Sequence, residues 1–356
     1  MNVPATMRVS KLYGIRDVRV EDGPVPRPGP GEVLLKIASV GTCGSDVHYY
    51  LEGGIGDQIV TEPITMGHEF SAWIASLGEG VEGLELGQLV AVEPAIPCGV
   101  CEQCRHGNPN LCPAVRFCGT PPIDGVFAEY AVMPADNCFR LPKGFTEDEG
   151  ALLEPLGIGI HTVDLAHLKV GETVAVLGAG PIGLLTAAVA RAAGAGAVYM
   201  TEPQADRRAF ALEYCADEVF NPEDEDVVAA IMEATGGRGV DVAFEAAGAE
   251  ETPDQAARVA RPGGKVIVVG IPSEDHMVMT ASQIRRKGLT IKLVRRMKHT
   301  YPRAILMIQN GLIDIAPLAT HNFSLEQIHD AFELVAGYKD GVLRAMINIG
   351  TEDSKL

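Results

Sequence analysis

Apolar positions along the chain follow two different rules, and the change falls near residue 147. Before it, short runs at 32–38, 88–92 and 127–132 predict strands, separated by turn sequences such as Pro28-Gly29-Pro30-Gly31. Runs this short predict an irregular, β-rich domain. Between Glu147 and Leu165 the pattern is helical, with Pro155 expected to bend or break the helix. Strands and helices then alternate. Strands are predicted at 173–177, 197–201, 240–245 and 265–270, and helices at 182–193, 204–214, 226–235 and 254–260. Val- and Ile-rich strands between helices predict a parallel sheet covered on both faces. The rhythm breaks near Leu293. Ser324 and Gln327 form a capping box before a predicted helix over 325–335, and 342–349 reads as a last strand. That tail is expected to rejoin the first domain. The predicted fold class is α/β, with a discontinuous β-rich domain (1–155 and 293–356) and a doubly wound parallel-sheet domain (156–292).

Composition narrows the function classes. The 356 residues leave room for two cores, and 47% hydrophobic with 21% charged residues is ordinary for a globular protein. A net charge of −18 and a pI of about 4.9 argue against nucleic acid or an anionic membrane as the main partner. Met1 to Ser10 has no long apolar core, so no export signal is read there. Residues 173–190 are free of charge and long enough to suggest a membrane span. Gly178, Gly180, Pro181 and Gly183 suit a strand–turn–helix better. A soluble cytoplasmic protein is expected, with its eight cysteines as thiols or metal ligands rather than disulfides. The ending Ser354-Lys355-Leu356 matches a peroxisomal address, which has meaning only in a eukaryote.

Gly178-Ala179-Gly180-Pro181-Ile182-Gly183 follows an apolar strand and opens a helix, the context that a dinucleotide fingerprint requires. The first glycine permits the turn, the second lets backbone approach a pyrophosphate, and the third lets helix and strand pack closely. The second domain is therefore read as a Rossmann domain. Its next strand ends at Glu202, 19 residues after Gly183. A carboxylate there binds ribose hydroxyls and repels a 2′-phosphate, so NAD is expected rather than NADP. Arg207 and Arg208 follow and offer the contrary charge.

Cys98, Cys101 and Cys104 stand at Cys-x-x-Cys-x-x-Cys spacing, with Cys112 eight residues on. Four thiols in one lobe (96–114) predict a closed, structural zinc site with no open coordination place. A second set is dispersed: Cys43, His68-Glu69 and Glu154. Thiolate, imidazole and carboxylate together suit zinc, and three protein ligands leave one position for substrate. Which of Glu69 and Glu154 is the ligand stays open. The plain alternative, a His-Glu surface pair, loses weight because each residue stands beside Gly or Pro at an element boundary. A basic run from Arg285 to Arg303 holds eight cations and no acid, and reads as a solvated face, a subunit contact or a site for phosphate.

These residues resemble the zinc-dependent medium-chain dehydrogenases over essentially the full length, and within them the sorbitol/xylitol (polyol) dehydrogenase branch. The resemblance rests on residues 43–49 (Cys43-Gly44-Ser45-Asp46-Val47-His48-Tyr49), Gly67-His68-Glu69, residues 117–125, Glu154-Pro155-Leu156, the glycine fingerprint and Phe244-Glu245-Ala246-Ala247-Gly248. It implies a GroES-like catalytic domain, a catalytic and a structural zinc, and oxidation of an acyclic polyol to a ketose with hydride transfer to NAD. It implies Ser45 and His48 as the proton relay, Tyr49, Phe117 and Arg296 in the substrate pocket, and Glu154 holding a water where Glu69 is the ligand. A homotetramer or homodimer is implied as well. Arg296-Met297 stands where sorbitol dehydrogenases tend to have Arg-Tyr or Arg-Phe, which argues against sorbitol itself. The rivals are a dehydrogenase of a phosphorylated polyol or of an amino alcohol such as threonine, and a non-enzymatic binding protein on the same fold.

Overall fold

Strand Glu32–Gly41 is the spine of the first compact unit, which comprises residues 1–154, 301–306 and 314–356. The computed structural model describes residues 3–272 and 275–350, so the Ser354-Lys355-Leu356 ending lies outside the described residues. Nearly every residue of this strand is buried, because it is paired on both edges. Strand Glu69–Leu77 and the last strand, Arg344–Asn348, both run antiparallel to it, and Tyr130–Pro134 pairs along its first half. Leu89–Val92, Cys138–Arg140 and Ala319–Phe323 complete the seven-stranded sheet. Leu35, Ile37, Phe70, Ile74, Phe127 and Phe332 fill the core beside it.

The second unit, 155–300 and 307–313, carries a six-stranded, wholly parallel sheet. Its strand order is 218–220, 197–201, 173–177, 240–245, 260–268, 290–293. This is the doubly wound order in which the sheet reverses direction between Thr173–Leu177 and Val240–Glu245. Val240–Glu245 is buried at all six positions, as a strand covered on both faces must be. Residues 294–300 stay with this unit. The Val294 N–H donates to the Val268 carbonyl, and Met297 packs its sulfur where a side chain at Gly157 would otherwise stand.

The charge-free stretch 173–190 is a strand, a turn and the helix Pro181–Ala192. No helix among the described residues is long and apolar enough to cross a membrane. Helix Glu147–Ala166 runs through Pro155 without a break, and the division between the two units falls at that proline. The capping box forms as read: the Ser324 N–H donates to Gln327 ahead of helix Ile328–Ala336.

At the far end of the parallel sheet, Asp241 is a stability device. Its buried carboxylate accepts from Arg238, Arg261 and the N–H and hydroxyl of Thr173. Burial alone would raise its pKa, but the hydrogen bonds from Arg238, Arg261 and Thr173 outweigh it and hold the carboxyl well below the usual range. A depressed folded pKa stabilises the protein above the unfolded value and loses that contribution as the pH falls toward the folded one. Asp241→Asn should therefore lower Tm at neutral pH, and the gap to wild type should close as the pH drops below about 4. Thermal melts across that range check it, and a gap that stays constant would show that the charge is not involved.

Candidate metal centre and cofactor site

Antiparallel register brings the dispersed ligand set together. Gly41 pairs with Glu69, so the chain leaving one strand toward Cys43 passes the chain entering the other through His68. Cys43, His68 and Glu69 offer ligand atoms within 4.8 Å of one another. His68 and Glu69 are buried, and the His68 ring lies 5.3 Å from that of Phe117. Burial opposes a charge on His68, yet Asp46 and Cys43 beside it push its pKa well above the ordinary value. The set therefore attracts positive charge.

Glu69 carries the sharpest sign of a missing partner. It is fully buried, and neither carboxylate oxygen has a hydrogen-bond donor. The Arg344 guanidinium stands 3.1 Å from Oε1 as an ion pair, but outside hydrogen-bond alignment. A buried carboxylate left so poorly satisfied fits a metal ligand. Glu154, also buried, is pushed up to about 8 by burial and by Glu69. Two neighbouring carboxylates stay ionised together only with a cation beside them. The donor chemistry thus fits zinc at this site.

Around the set, Asp46 acts as a brace. Its wholly buried carboxylate lies 3.5 Å from His68 Nδ1 and accepts from the backbone N–H of Gly67 and of Cys43. Helix Gly44–Glu52 carries it, with Ser45 and His48 three residues apart on the same helix. His48 is partly exposed, and its Nδ1 lies 3.1 Å from Glu52 Oε1.

Cys98, Cys101, Cys104 and Cys112 form the second group among the described residues, with sulfurs within 4.8 Å of one another. The lobe is a two-residue strand pair (Ala95–Ile96 with Arg116–Phe117) closed over a short helix, Glu102–Arg105. Backbone N–H groups already point at sulfur: Cys98 donates to Cys112 and Cys104 to Cys101. The N–H groups of Val100 and Cys101 pull the Cys98 thiol down to about 6, toward the thiolate a metal needs. Four converging sulfurs fit a structural zinc.

The fingerprint turn sits between Leu177 and the helix beginning at Pro181. Gly178 has φ +100°, and a side chain at Gly183 would strike the Gly178 carbonyl at 2.0 Å. Glu202 is buried and accepts from the Ala179 N–H at 2.8 Å and the Gln204 N–H at 3.0 Å. Arg208 donates to the Glu202 and Pro203 carbonyls, and Arg207 reaches within 3.7 Å of the position a side chain at Gly180 would take.

The chain matches the family described as "Alcohol dehydrogenase GroES-like domain" over residues 29–143 and the one described as "Zinc-binding dehydrogenase" over 181–310. It is 38% identical to a sorbitol dehydrogenase of Bacillus subtilis over 345 residues, 97% of this chain and 98% of that protein. The chain belongs to the zinc-binding dehydrogenases. It is an oxidoreductase of that family, one that uses zinc and a nicotinamide cofactor. It is also 39% identical over 328 residues to a protein named "Probable D-xylulose reductase A" from Emericella nidulans, covering 90% and 91% of the two chains. Among solved structures, a zinc-binding dehydrogenase from Sinorhizobium meliloti 1021 bound to NADP superposes with a TM-score of 0.89 at 33% identity, covering 97% of this chain and all of that one.

In this dehydrogenase the remaining sequence-predicted residues are dispersed. Tyr49 is buried and its hydroxyl donates to Gln58, while Phe117 packs beside His68. Arg296 belongs to the second unit and has φ +53°. Its neighbour Met297 is buried, with its sulfur 3.1 Å from the Thr300 hydroxyl, so the Arg-Met departure is a packing feature of that unit. Two cations of the basic run have backbone duties. Lys287 donates to the carbonyls of Ala257, Arg258 and Ala260, and Lys292 to that of Leu165, each at a helix C-terminus. Sequence reading gave no role to Asp46 or Arg344. The available signal for Arg344 was an arginine opening an otherwise apolar strand.

Proposed function

We infer that this dehydrogenase oxidises a secondary hydroxyl of an acyclic polyol to a ketose, reversibly, with NAD as the hydride acceptor. The observation that carries this is the meeting of Cys43, His68 and the unsatisfied Glu69 in one buried spot, in a chain so similar to sorbitol dehydrogenases. Cys43, His68 and either Glu69 or Glu154 would hold a zinc ion, which would supply Lewis-acid chemistry toward a substrate oxygen, and a bound NAD would supply the hydride acceptor. Ser45 would accept the substrate proton while passing its own hydroxyl proton onward in the relay, and the partly exposed His48 would take up that proton and release it to solvent. Asp46 holds His68 and the Gly67 backbone in place. Tyr49 supplies wall, as does Phe117 beside His68.

NAD is favoured because Glu202 keeps acceptor capacity on both oxygens and would repel a 2′-phosphate, whereas Arg208 is engaged with backbone carbonyls. Zinc on the four cysteines makes a second ion per chain. The phosphorylated-substrate alternative loses support, because Lys287 and Lys292 serve helix ends. The test is a panel of xylitol, threitol, sorbitol, a polyol phosphate and threonine, each with NAD and NADP. At least one free polyol should be oxidised, with kcat/KM for NAD at least about tenfold above that for NADP, a difference of about 1.4 kcal/mol. Turnover confined to the phosphate or to threonine would sink the substrate class.

A further inference from the structure

Glu245 closes the strand Val240–Glu245 and is 1% exposed. Its Oε1 accepts three donors: the Ala247 N–H at 2.9 Å, the Gly248 N–H at 2.8 Å and the Thr252 hydroxyl at 2.8 Å. Its backbone carbonyl accepts from Val269 at 2.8 Å and Gly270 at 3.1 Å. One residue thus ties the chain that follows its own strand to the chain that follows the neighbouring strand, 260–268. A buried carboxylate is costly unless hydrogen-bonded, and here two donors come from the loop after the strand and the third, Thr252, opens the helix Thr252–Val259, so none comes from the sheet.

The place of that loop gives the arrangement its meaning. In a doubly wound sheet, ligands lie outside the carboxyl ends of the strands where the order reverses, here between Thr173–Leu177 and Val240–Glu245. The glycine turn after the first of these strands is one wall of that crevice, and residues 246–248 after the second are the other. The two walls are in contact. The Ala246 N–H donates to the Leu177 carbonyl at 2.9 Å, and a side chain at Gly178 would meet the Ala247 backbone at 3.0 Å. Behind the second wall, a side chain at Gly248 would strike the Ile271 carbonyl at 2.4 Å, and one at Gly270 would strike Gly248 N at 2.5 Å and Glu245 Oε2 at 2.6 Å.

We propose that Glu245 is a positioning residue for the nicotinamide cofactor: its carboxylate fixes residues 246–248 as the second wall of the crevice facing the glycine turn. The proposal rests on the cofactor reading above, and failure of wild-type protein to bind NADH would overturn that reading instead. The experiment measures the NADH dissociation constant, by fluorescence, together with Tm and steady-state kinetics. Glu245→Leu removes the acceptor of the Ala247 and Gly248 N–H groups and leaves the Thr252 hydroxyl only the Ala249 carbonyl, and it should weaken NADH binding at least about tenfold, with kcat at saturating cofactor changed far less. Glu245→Gln keeps one acceptor oxygen and should restore most of the affinity. Folded Glu245→Leu protein with wild-type NADH affinity overturns the proposal. If that variant does not fold, Thr252→Val, which removes one donor to Glu245, decides. Weaker NADH binding supports the positioning role, whereas unchanged affinity, with or without a lowered Tm, reduces Glu245 to a structural residue.

Discussion

Exchanging Cys43 for serine should leave a folded protein with its polyol oxidation reduced at least about a thousandfold, since metal stabilisation of developing charge contributes several kcal/mol. Cys43 is one of the three groups that meet at the buried site, and although it is the N-cap of the helix Gly44–Glu52, serine is itself a favoured N-cap. The surrounding sheet core does not depend on its side chain. Metal analysis should fall by one zinc per chain, with Tm little changed. Full activity in this variant would show that the site has been placed wrongly.

The second large effect is expected in the other metal group, and it is of a different kind. Cys98→Ser should lose one zinc, lower Tm by about 10 °C and open residues 97–112 to proteolysis, because a structural metal contributes its binding free energy to folding. The lobe has little else to hold it. Cys98 is exposed, Cys101 and Cys104 are only partly buried, and Val100 and Leu111 point apolar side chains into solvent. Residual activity should persist, because this group has no open coordination place. A protease-resistant lobe in a variant that has lost its zinc would refute this account.

The legibility of the fold followed burial. Val240–Glu245 and Thr173–Leu177 match their predicted ranges, because strands buried on both faces are rich in apolar residues and are bounded here by the glycines that flank the turns. The first domain was harder. The run expected at 127–132 forms its strand at Tyr130–Pro134, since Phe127 and Ala128 are taken by partners outside the sheet: the Ser10 N–H donates to Phe127, and Val9 bridges Ala128. The strand expected at 265–270 spans Ala260–Val268, starting ahead of a Pro262-Gly263-Gly264 sequence that reads as a turn. Val240 pairs with Ala260, and that ladder overrides the local preference. Short strands at 218–220 and 290–293 went unread, being too brief for any period to show, and the one at 319–323 (Ala-Thr-His-Asn-Phe) is too polar to read as an apolar run.

By itself the sequence determined which chemistries were on offer: four clustered thiols, a glycine turn between strand and helix, and a Cys, His and Glu at element boundaries. Those signals are local, set by residue type and spacing within a few turns of chain. Tertiary structure alone decided how they are held. Pairing of Gly41 with Glu69 and of Gly41 with Met346 carries Arg344 across roughly three hundred residues of sequence to the side of Glu69, and helix Gly44–Glu52 turns Asp46 inward against His68. It likewise gave Lys287 and Lys292 to helix ends. Such partners are distant in sequence and are chosen by strand register and by the requirement that buried polar groups find each other.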